Sequence, residues 1–418
     1  GLTACRPHLA SLRQFQRIVL VADAPQLCWN AHAFKPNFYV DIGAYLEMIR
    51  SPLAAYADEL ALWSGYSSVN PKVLLAVLEL RHGLVLTPAD DLDPAQVRSQ
   101  IQAAALDLAT AFYEHLYAVG TRSSGAEPPA SMPTLELADG SVVQLDSTAS
   151  SGTYAVARAL GISNDLPSWM EAVSAESTAG FVAVFGAMFP DTDLLDTSND
   201  INPAAAPPAD LLQFPFPLGA TWTFSGAHNW NGGSAPPPYS SMDFFTGGAS
   251  CSLPPRLFAV AAASGSASRP GGYTCWLEIN HGGGWTTSYY HLLNTITGGT
   301  VAGNAPMGTI ACEICAGGFA TGPHLHFSLK YDGAYTTLEG VQLSGWTIHV
   351  GPTPYDSGYI ERDGGTLNAY SQVLNDYHLY FAGPDRSLRF FGNGTGGIDR
   401  VKIRVDNPSD SQPGPPAD

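Results

Sequence analysis

The chain has 418 residues, too many for one ordinary domain and enough for two or three, so core size sets no limit on folding. Charged residues are 13% of it, against a usual ~25%, and 43 Gly with 32 Pro favour short strands and many turns. The net charge of −18 covers both halves, with 10 Lys+Arg against 22 Asp+Glu in residues 1–205 and 9 against 15 in 206–418, and this excludes the basic face that nucleic acid needs.

No apolar run reaches the ~18 residues that span a bilayer; the longest candidate is the Gly-broken stretch from Gly180 to Phe189. A soluble, monomeric chain with no membrane partner is expected. It begins at Gly1 with no Met and no charged-then-apolar leader, so any signal peptide is expected to have been removed. Six cysteines, Cys5, Cys28, Cys251, Cys275, Cys312 and Cys315, fit disulfides in an oxidising compartment, which points to export.

The helical signals lie in the first 200 residues. Asn70-Pro71 supplies an N-cap and a first-turn proline, Val73, Leu74, Val77, Leu78 and Leu80 follow at helical spacing, and Gly83 stands where a C-cap belongs, which predicts a helix over 71–82. A second helix is predicted from Asp93-Pro94 to about Ala118, with Ile101, Ala105, Leu108, Phe112 and Leu116 as its stripe. A hairpin is expected near 134–145 and helix again over 167–189. The stretch NPAAAPPAD, residues 202–210, cannot hold regular structure and is open to proteolysis, which makes it the domain boundary. Beyond it the period switches to two in Leu257–Ala261, Cys275–Asn280, Thr286–Leu292 and Leu325–Leu329, as in an antiparallel β domain. LYFAG, LRFFG and VKIRVD then form a short β tail, and NPSDSQPGPPAD a disordered linker.

The chemistry lies in the histidines. His324-Leu325-His326 on a strand would point both imidazoles to one face, which suits a shared metal site. Catalytic zinc takes three ligands from His, Asp or Glu and keeps a fourth position open, and His228 and Asp243 are candidates for the rest. Taken alone, each is weak: a lone β-domain His is usually structural, and an Asp after Ser-Ser-Met is usually a turn residue. HGGG at 281–284 suggests a lipase oxyanion loop, but without any Gly-x-Ser-x-Gly it reads as a hairpin turn, and no His-Glu-x-x-His occurs. Cys312-x-x-Cys315 could be a zinc knuckle or redox pair, although disulfides are the preferred reading.

In order, GAH, SSMD fifteen residues after the His, SYYH and TGPHLHF resemble the M23 family of metallopeptidases, LasA and β-lytic type, over roughly residues 206–365. The resemblance implies hydrolysis of peptidoglycan cross-links by one zinc ion per chain, bound by His228, Asp243 and His326. It implies that His291 and His324 assist catalysis and that Tyr355, in VGPTPYD, donates to the developing oxyanion. It implies Cys275–Cys315, with Cys251–Cys312 and Cys5–Cys28 completing the set. GYSSVNPKVLLAVLELRHGLV resembles a stretch of such precursors, so residues 1–201 are expected to be an inhibitory propeptide. His82 is its candidate zinc contact, the alternative being a solvated helix-end histidine. The fold class expected is α+β multidomain: a mainly helical prodomain over 1–201, a cleavable linker over 202–210, an antiparallel β catalytic domain over 211–370, a β extension over 371–406 and a disordered linker over 407–418. The partners expected are peptidoglycan peptides, the chain's own propeptide and an activating protease. Two rivals remain: a general extracellular protease of Gly-rich proteins, and a non-catalytic cell-wall-binding module.

Overall fold

The structure, a computed structural model, describes residues 42–86, 92–118, 134–145, 149–174, 176–190, 205–209, 211–232, 237–247, 250–252, 254 and 257–376, with the backbone of 119–123, 387–391 and 402–406. Two compact units divide near Ala204–Ala205. Helices dominate the first and antiparallel strands the second.

In the first unit, local chemistry sets the helix ends. The helix Pro71–His82 starts where the Asn70 side chain accepts from the Lys72 amide, and stops where Gly83 turns left-handed at φ 60°. The Glu79 carboxylate then accepts from the Val85 and Leu86 amides and holds the exit. The second predicted helix runs over Pro94–Ser123, and Ile101, Ala105, Leu108 and Phe112 of its stripe are buried. The expected hairpin pairs β1 (Leu135–Glu136) with β2 (Val142–Val143). The segment expected to be helical over 167–189 is two helices, Leu166–Ala172 and Phe181–Met188. The chain between them turns back so tightly that a Cβ on Gly180 would collide with the carbonyl oxygens of Ser174 and Glu171. Three further helices, Ile42–Met48, Ala57–Ser67 and Ser151–Gly161, carry no sequence prediction.

The second unit is built on β3 (Thr221–Phe224), β4 (Ser241–Phe245), β5 (Phe258–Val260), β6 (Gly265–Ser268), β7 (Leu277–Gly282), β8 (Trp285–Tyr290), β9 (Leu292–Leu293), β10 (Gly299–Val301), β11 (Pro306–Ile310), β12 (Leu325–Tyr331), β13 (Ala334–Tyr335), β14 (Gln342–Leu343), β15 (Trp346–Val350), β16 (Gly358–Arg362), β17 (Gly365–Asn368) and β18 (Gln372–Leu374). Its main sheet has the order β10-β6-β7-β8-β12-β4-β3-β18, with β13 added beside β12. Two smaller sheets, β5-β11-β9 and β14-β15-β16-β17, are formed by strands that lie between those of the main sheet in the sequence. His281–Gly284 is the turn of the β7–β8 hairpin, and its glycines take φ of 82°, 60° and 85°, which costs a glycine little and most residues much.

The small β extension expected over 371–406 begins with β18, which pairs with β3 (Val373 opposite Trp222) and so continues the main sheet past residue 370. Beyond it, β19 (Ser387–Phe391) and β20 (Lys402–Asp406) form a hairpin, while the 407–418 segment lies outside the described residues.

One face of the main sheet is apolar. Leu325, Phe327 and Leu329 of β12 join Met242 and Phe244 of β4, Leu277 and Ile279 of β7, and Phe214 and Phe216, all buried. Each such side chain is worth about 1.5–3 kcal/mol in transfer from water. The alternate residues His326, Ser328 and Lys330 point to the opposite face, and they are buried as well.

Candidate active site

The β12 register sets Asp243 of β4 opposite His326 on one side and Tyr290 of β8 opposite it on the other. His228 precedes β4 in the chain and is fixed to it by a reciprocal pair of backbone hydrogen bonds with Ser241, of 2.8 and 2.9 Å. The Asp243 backbone is held in the same way: its amide donates to Ser225 Oγ at 2.9 Å and its carbonyl accepts from the Ser225 amide at 2.9 Å.

These constraints bring three donor atoms into a triangle. His228 Nε2 lies 3.2 Å from His326 Nδ1 and 3.4 Å from Asp243 Oδ1, and His326 Nδ1 lies 3.1 Å from Asp243 Oδ1. A tetrahedral ion with bonds of ~2.0–2.1 Å has donor–donor edges of ~3.3–3.4 Å, so the residues fit a metal ion. Among the described residues this is the one such group of three that could hold one. Hydrogen bonding agrees with that use. Nδ1 of His228 faces the Gly226 carbonyl at 3.2 Å, and a carbonyl can only accept, so the proton sits on Nδ1 and the Nε2 lone pair faces the triangle. Nε2 of His326 faces Ser328 Oγ at 3.2 Å, which itself meets Ser241 Oγ at 2.7 Å, and His326 Nδ1 is left as the donor to a metal. Burial would raise the Asp243 carboxyl, but His228, His324 and His326 around it hold it well below the usual carboxylate range. Burial lowers His326, which the adjoining Asp243 partly opposes.

Two more imidazoles border the triangle. His324 Nε2 is 3.7 Å from Asp243 Oδ1, and its ring centroid is 4.5 Å from that of His291. Nδ1 of His291 is 2.7 Å from the Glu313 carbonyl and Nδ1 of His324 is 2.8 Å from the Gly322 carbonyl; a carbonyl can only accept, so each neutral ring carries its hydrogen on Nδ1 and turns Nε2 away from that carbonyl. Burial, with His324 and His326 nearby, lowers the His291 pKa to about 3, which keeps it neutral. His291 also holds a left-handed backbone, φ 65°, at the break between β8 and β9.

Tyr355 stacks on the His228 ring, with centroids 3.9 Å apart and planes at 15°. Its carbonyl accepts from the Gly226 amide at 2.6 Å, and a Cβ on Gly226 would collide with the Tyr355 and Ser357 carbonyls, so this approach requires glycine.

His228, Asp243, His291, His324, His326 and Tyr355 therefore meet at one place. His82 lies in the first unit, at the end of the 71–82 helix; it is half-buried, and burial together with Arg81 lowers its pKa. Disulfides join Cys251 to Cys312 and Cys275 to Cys315, with Cα atoms 5.5 and 6.1 Å apart, while Cys5 and Cys28 lie outside the described residues. Sequence reasoning missed Ser225, Ser328 and Tyr290. For Ser328 a signal existed, since it is two residues from His326 and shares its face of the strand.

A family model described as the LasA N-terminal domain matches residues 27–202. Protease LasA of Pseudomonas aeruginosa is 30% identical over 364 residues, which cover 80% of this chain and 82% of that protein. The β-lytic metalloendopeptidase of Lysobacter enzymogenes is 42% identical over 168 residues, 38% of this chain and 92% of its own. That of Achromobacter lyticus is 43% identical over 171 residues, 38% of this chain, and the match spans 45% of its own length, less than half. Among solved structures, the M23 metalloprotease pseudoalterin is 32% identical and matches 39% of this chain and 98% of its own, with a TM-score of 0.36. At this antiparallel sheet His228, Asp243 and His326 could hold a metal ion, and two more imidazoles stand beside them. The chain belongs to the M23 metalloendopeptidases, in the group of LasA and the β-lytic enzymes.

Proposed function

We propose that the chain is the secreted precursor of a zinc endopeptidase that hydrolyses peptide cross-links of bacterial peptidoglycan, Gly-rich bridges in particular. The observation that carries this reading is the triangle of His228 Nε2, Asp243 Oδ1 and His326 Nδ1, whose edges of 3.1–3.4 Å suit zinc. Zinc held there supplies Lewis acidity to a carbonyl oxygen and to water. The protein's own groups do the rest. His291 and His324 present unprotonated Nε2 atoms beside the triangle, where one can take a proton from the attacking water and pass it to the leaving amine. Tyr355 keeps the His228 ring in place by stacking, and its hydroxyl is proposed as a donor to the developing oxyanion; removing such a donor costs about 10²–10³ in rate.

Residues 1–201 are proposed as an inhibitory prosegment, a reading supported by the family match over 27–202. A tethered domain supplies a blocking side chain at high effective concentration, so the uncut chain should be nearly inactive and cleavage within 202–210, with Ala205-Ala206 as the favoured bond, should release activity. His82 is the proposed blocking residue. The test compares uncut and cut chains on whole bacteria and on pentaglycine. Cleavage of pentaglycine with lysis of cells supports the proposal, and cleavage of pentaglycine with intact cells replaces it with a general protease of Gly-rich proteins. An uncut chain as active as the cut one overturns latency, whereas an uncut His82→Ala chain that stays inactive removes only His82.

A further inference from the structure

Two carbonyls orient the two catalytic imidazoles, and both belong to the same short segment, residues 312–322. Glu313 O receives the Nδ1 hydrogen of His291, and Gly322 O receives that of His324. The residue just before the segment ties down their backbones as well, because the Ala311 amide donates to the His291 carbonyl at 2.8 Å and the Ala311 carbonyl accepts from the His324 amide at 3.1 Å. This segment is no strand, and glycines at 317, 318 and 322 give it no stiffness of its own. Its rigidity must come from outside. Two disulfides enter it, at Cys312 and Cys315. One side chain completes the hold: the Tyr290 hydroxyl accepts from the Cys315 amide at 2.8 Å and the Ala316 amide at 2.6 Å, and donates to the Gly317 carbonyl at 3.1 Å. The same ring stands beside His326 in the sheet register and 4.5 Å from the His291 ring.

We infer that Tyr290 is a positioning residue for the peptidase reaction: its hydroxyl clamps the 315–317 turn so that the Glu313 and Gly322 carbonyls lock the Nδ1–H tautomer of both His291 and His324. The inference rests on the reading of those histidines as the proton-handling pair, but the clamp itself can be tested without that reading. Without the hydroxyl, two amides and a carbonyl of the turn lose their partner, only the disulfides and the Ala311 bonds still hold the segment, and its carbonyls fix the imidazoles less firmly. The Nε2–H tautomer then becomes accessible, and in it the nitrogen that should accept a proton already carries one.

The test is Tyr290→Phe in the metal-loaded full chain, with histidine ring nitrogens read by ¹⁵N–¹H correlation spectroscopy. His291 and His324 should each give a single Nδ1–H tautomer in the wild type and a mixture in the variant, with metal content unchanged; once both chains are cut within 202–210, the variant's kcat should be down by about tenfold or more at little change in KM. Tyr289→Phe is the control. Its hydroxyl bonds Ala262 and Thr287 instead, so it should leave both tautomers as they are. If Tyr290→Phe does not fold, the Cys275→Ala/Cys315→Ala pair frees the same turn and should give the same mixture. A folded Tyr290→Phe chain with both histidines still wholly Nδ1–H overturns the inference, as does an equal loss of tautomer purity in Tyr289→Phe. Should His291→Ala and His324→Ala keep full activity while Tyr290→Phe still mixes the tautomers, the clamp stands and the catalytic reading falls.

Discussion

The two faces of the main sheet are made by the same strands and are both buried, yet they do different work. On β12, Leu325, Phe327 and Leu329 fill an apolar core in which shape alone matters, whereas His326, Ser328 and Lys330 each meet a specified polar partner, Asp243, Ser241 and Glu278. The apolar face tolerates exchange among residues of similar volume. The polar face does not, since a buried donor or acceptor left unpaired costs about 1–3 kcal/mol. The strand alternation thus separates folding from chemistry, and substitutions one residue apart should report on one or the other.

The sharpest test of that separation is the pair His326→Ala and Phe327→Ala. His326→Ala should take the zinc content from one per chain to near zero, abolish activity and cost the metal-free protein about 1–3 kcal/mol through the partners it leaves unpaired. Phe327→Ala should cost about 3–5 kcal/mol of stability and keep its zinc below the melting transition. Elemental analysis with thermal unfolding decides it, and unchanged zinc in His326→Ala would remove that residue from the ligand set. Next come His291→Ala and His324→Ala, which should keep the metal and lose about 10²–10⁴ in kcat. A variant near wild-type turnover drops out of the mechanism.

A third test uses the far end of the polar row, where Lys330 Nζ meets Glu278 Oε1 at 2.7 Å with both side chains 2% exposed. Lys330→Met should destabilise by about 3–5 kcal/mol, and adding Glu278→Gln should restore much of it, because the cost is that of an unpaired buried carboxylate. Burial raises the Glu278 pKa, with Lys330 opposing. For a raised carboxyl the folded state favours the protonated form, so the deficit of Lys330→Met should shrink as pH falls into the carboxylate range and grow above it. Denaturant titrations from pH 4 to 8 measure this, and a pH-independent deficit would contradict it. The smallest effect is expected for Ser328→Ala, which removes the partner of His326 Nε2. It should weaken zinc about 10–100-fold in chelator competition and cost about 1 kcal/mol of stability, and Ser328→Thr should recover part of both.

How much of this was legible in the sequence followed from how local the cause was. The helix over 71–82 was readable because its cap, first-turn proline and terminal glycine are adjacent in the chain. The β7–β8 hairpin was readable from its run of glycines. Ser151–Gly161 was not predicted, although Ser150 caps its start by accepting from the Thr153 amide: SGTYAVARALG is short, and its small and β-branched residues carry a weak helical signal until packing buries them nearly all round. GSAS (β6) and the edge strand GTV (β10) lack alternation and become strands only through their neighbours. In the site, the histidines and Asp243 stood out by residue type and order. The carbonyls of Gly226, Glu313 and Gly322 could not, because every residue has one and only the fold decides which three face an imidazole.

His291 sits in the left-handed region at φ 65°, where a residue with a Cβ is held at a cost of about 1–3 kcal/mol. Asparagine or glycine would suit that bend as well or better, and neither could take the proton-handling role proposed for His291. A search for thermostable variants of this protein that scores melting temperature alone would therefore be drawn to position 291, and on that proposal its winners there would be inert. Stability engineering here needs an activity screen beside it, because the bend that disturbs the fold is also what sets the imidazole beside His324 and His326.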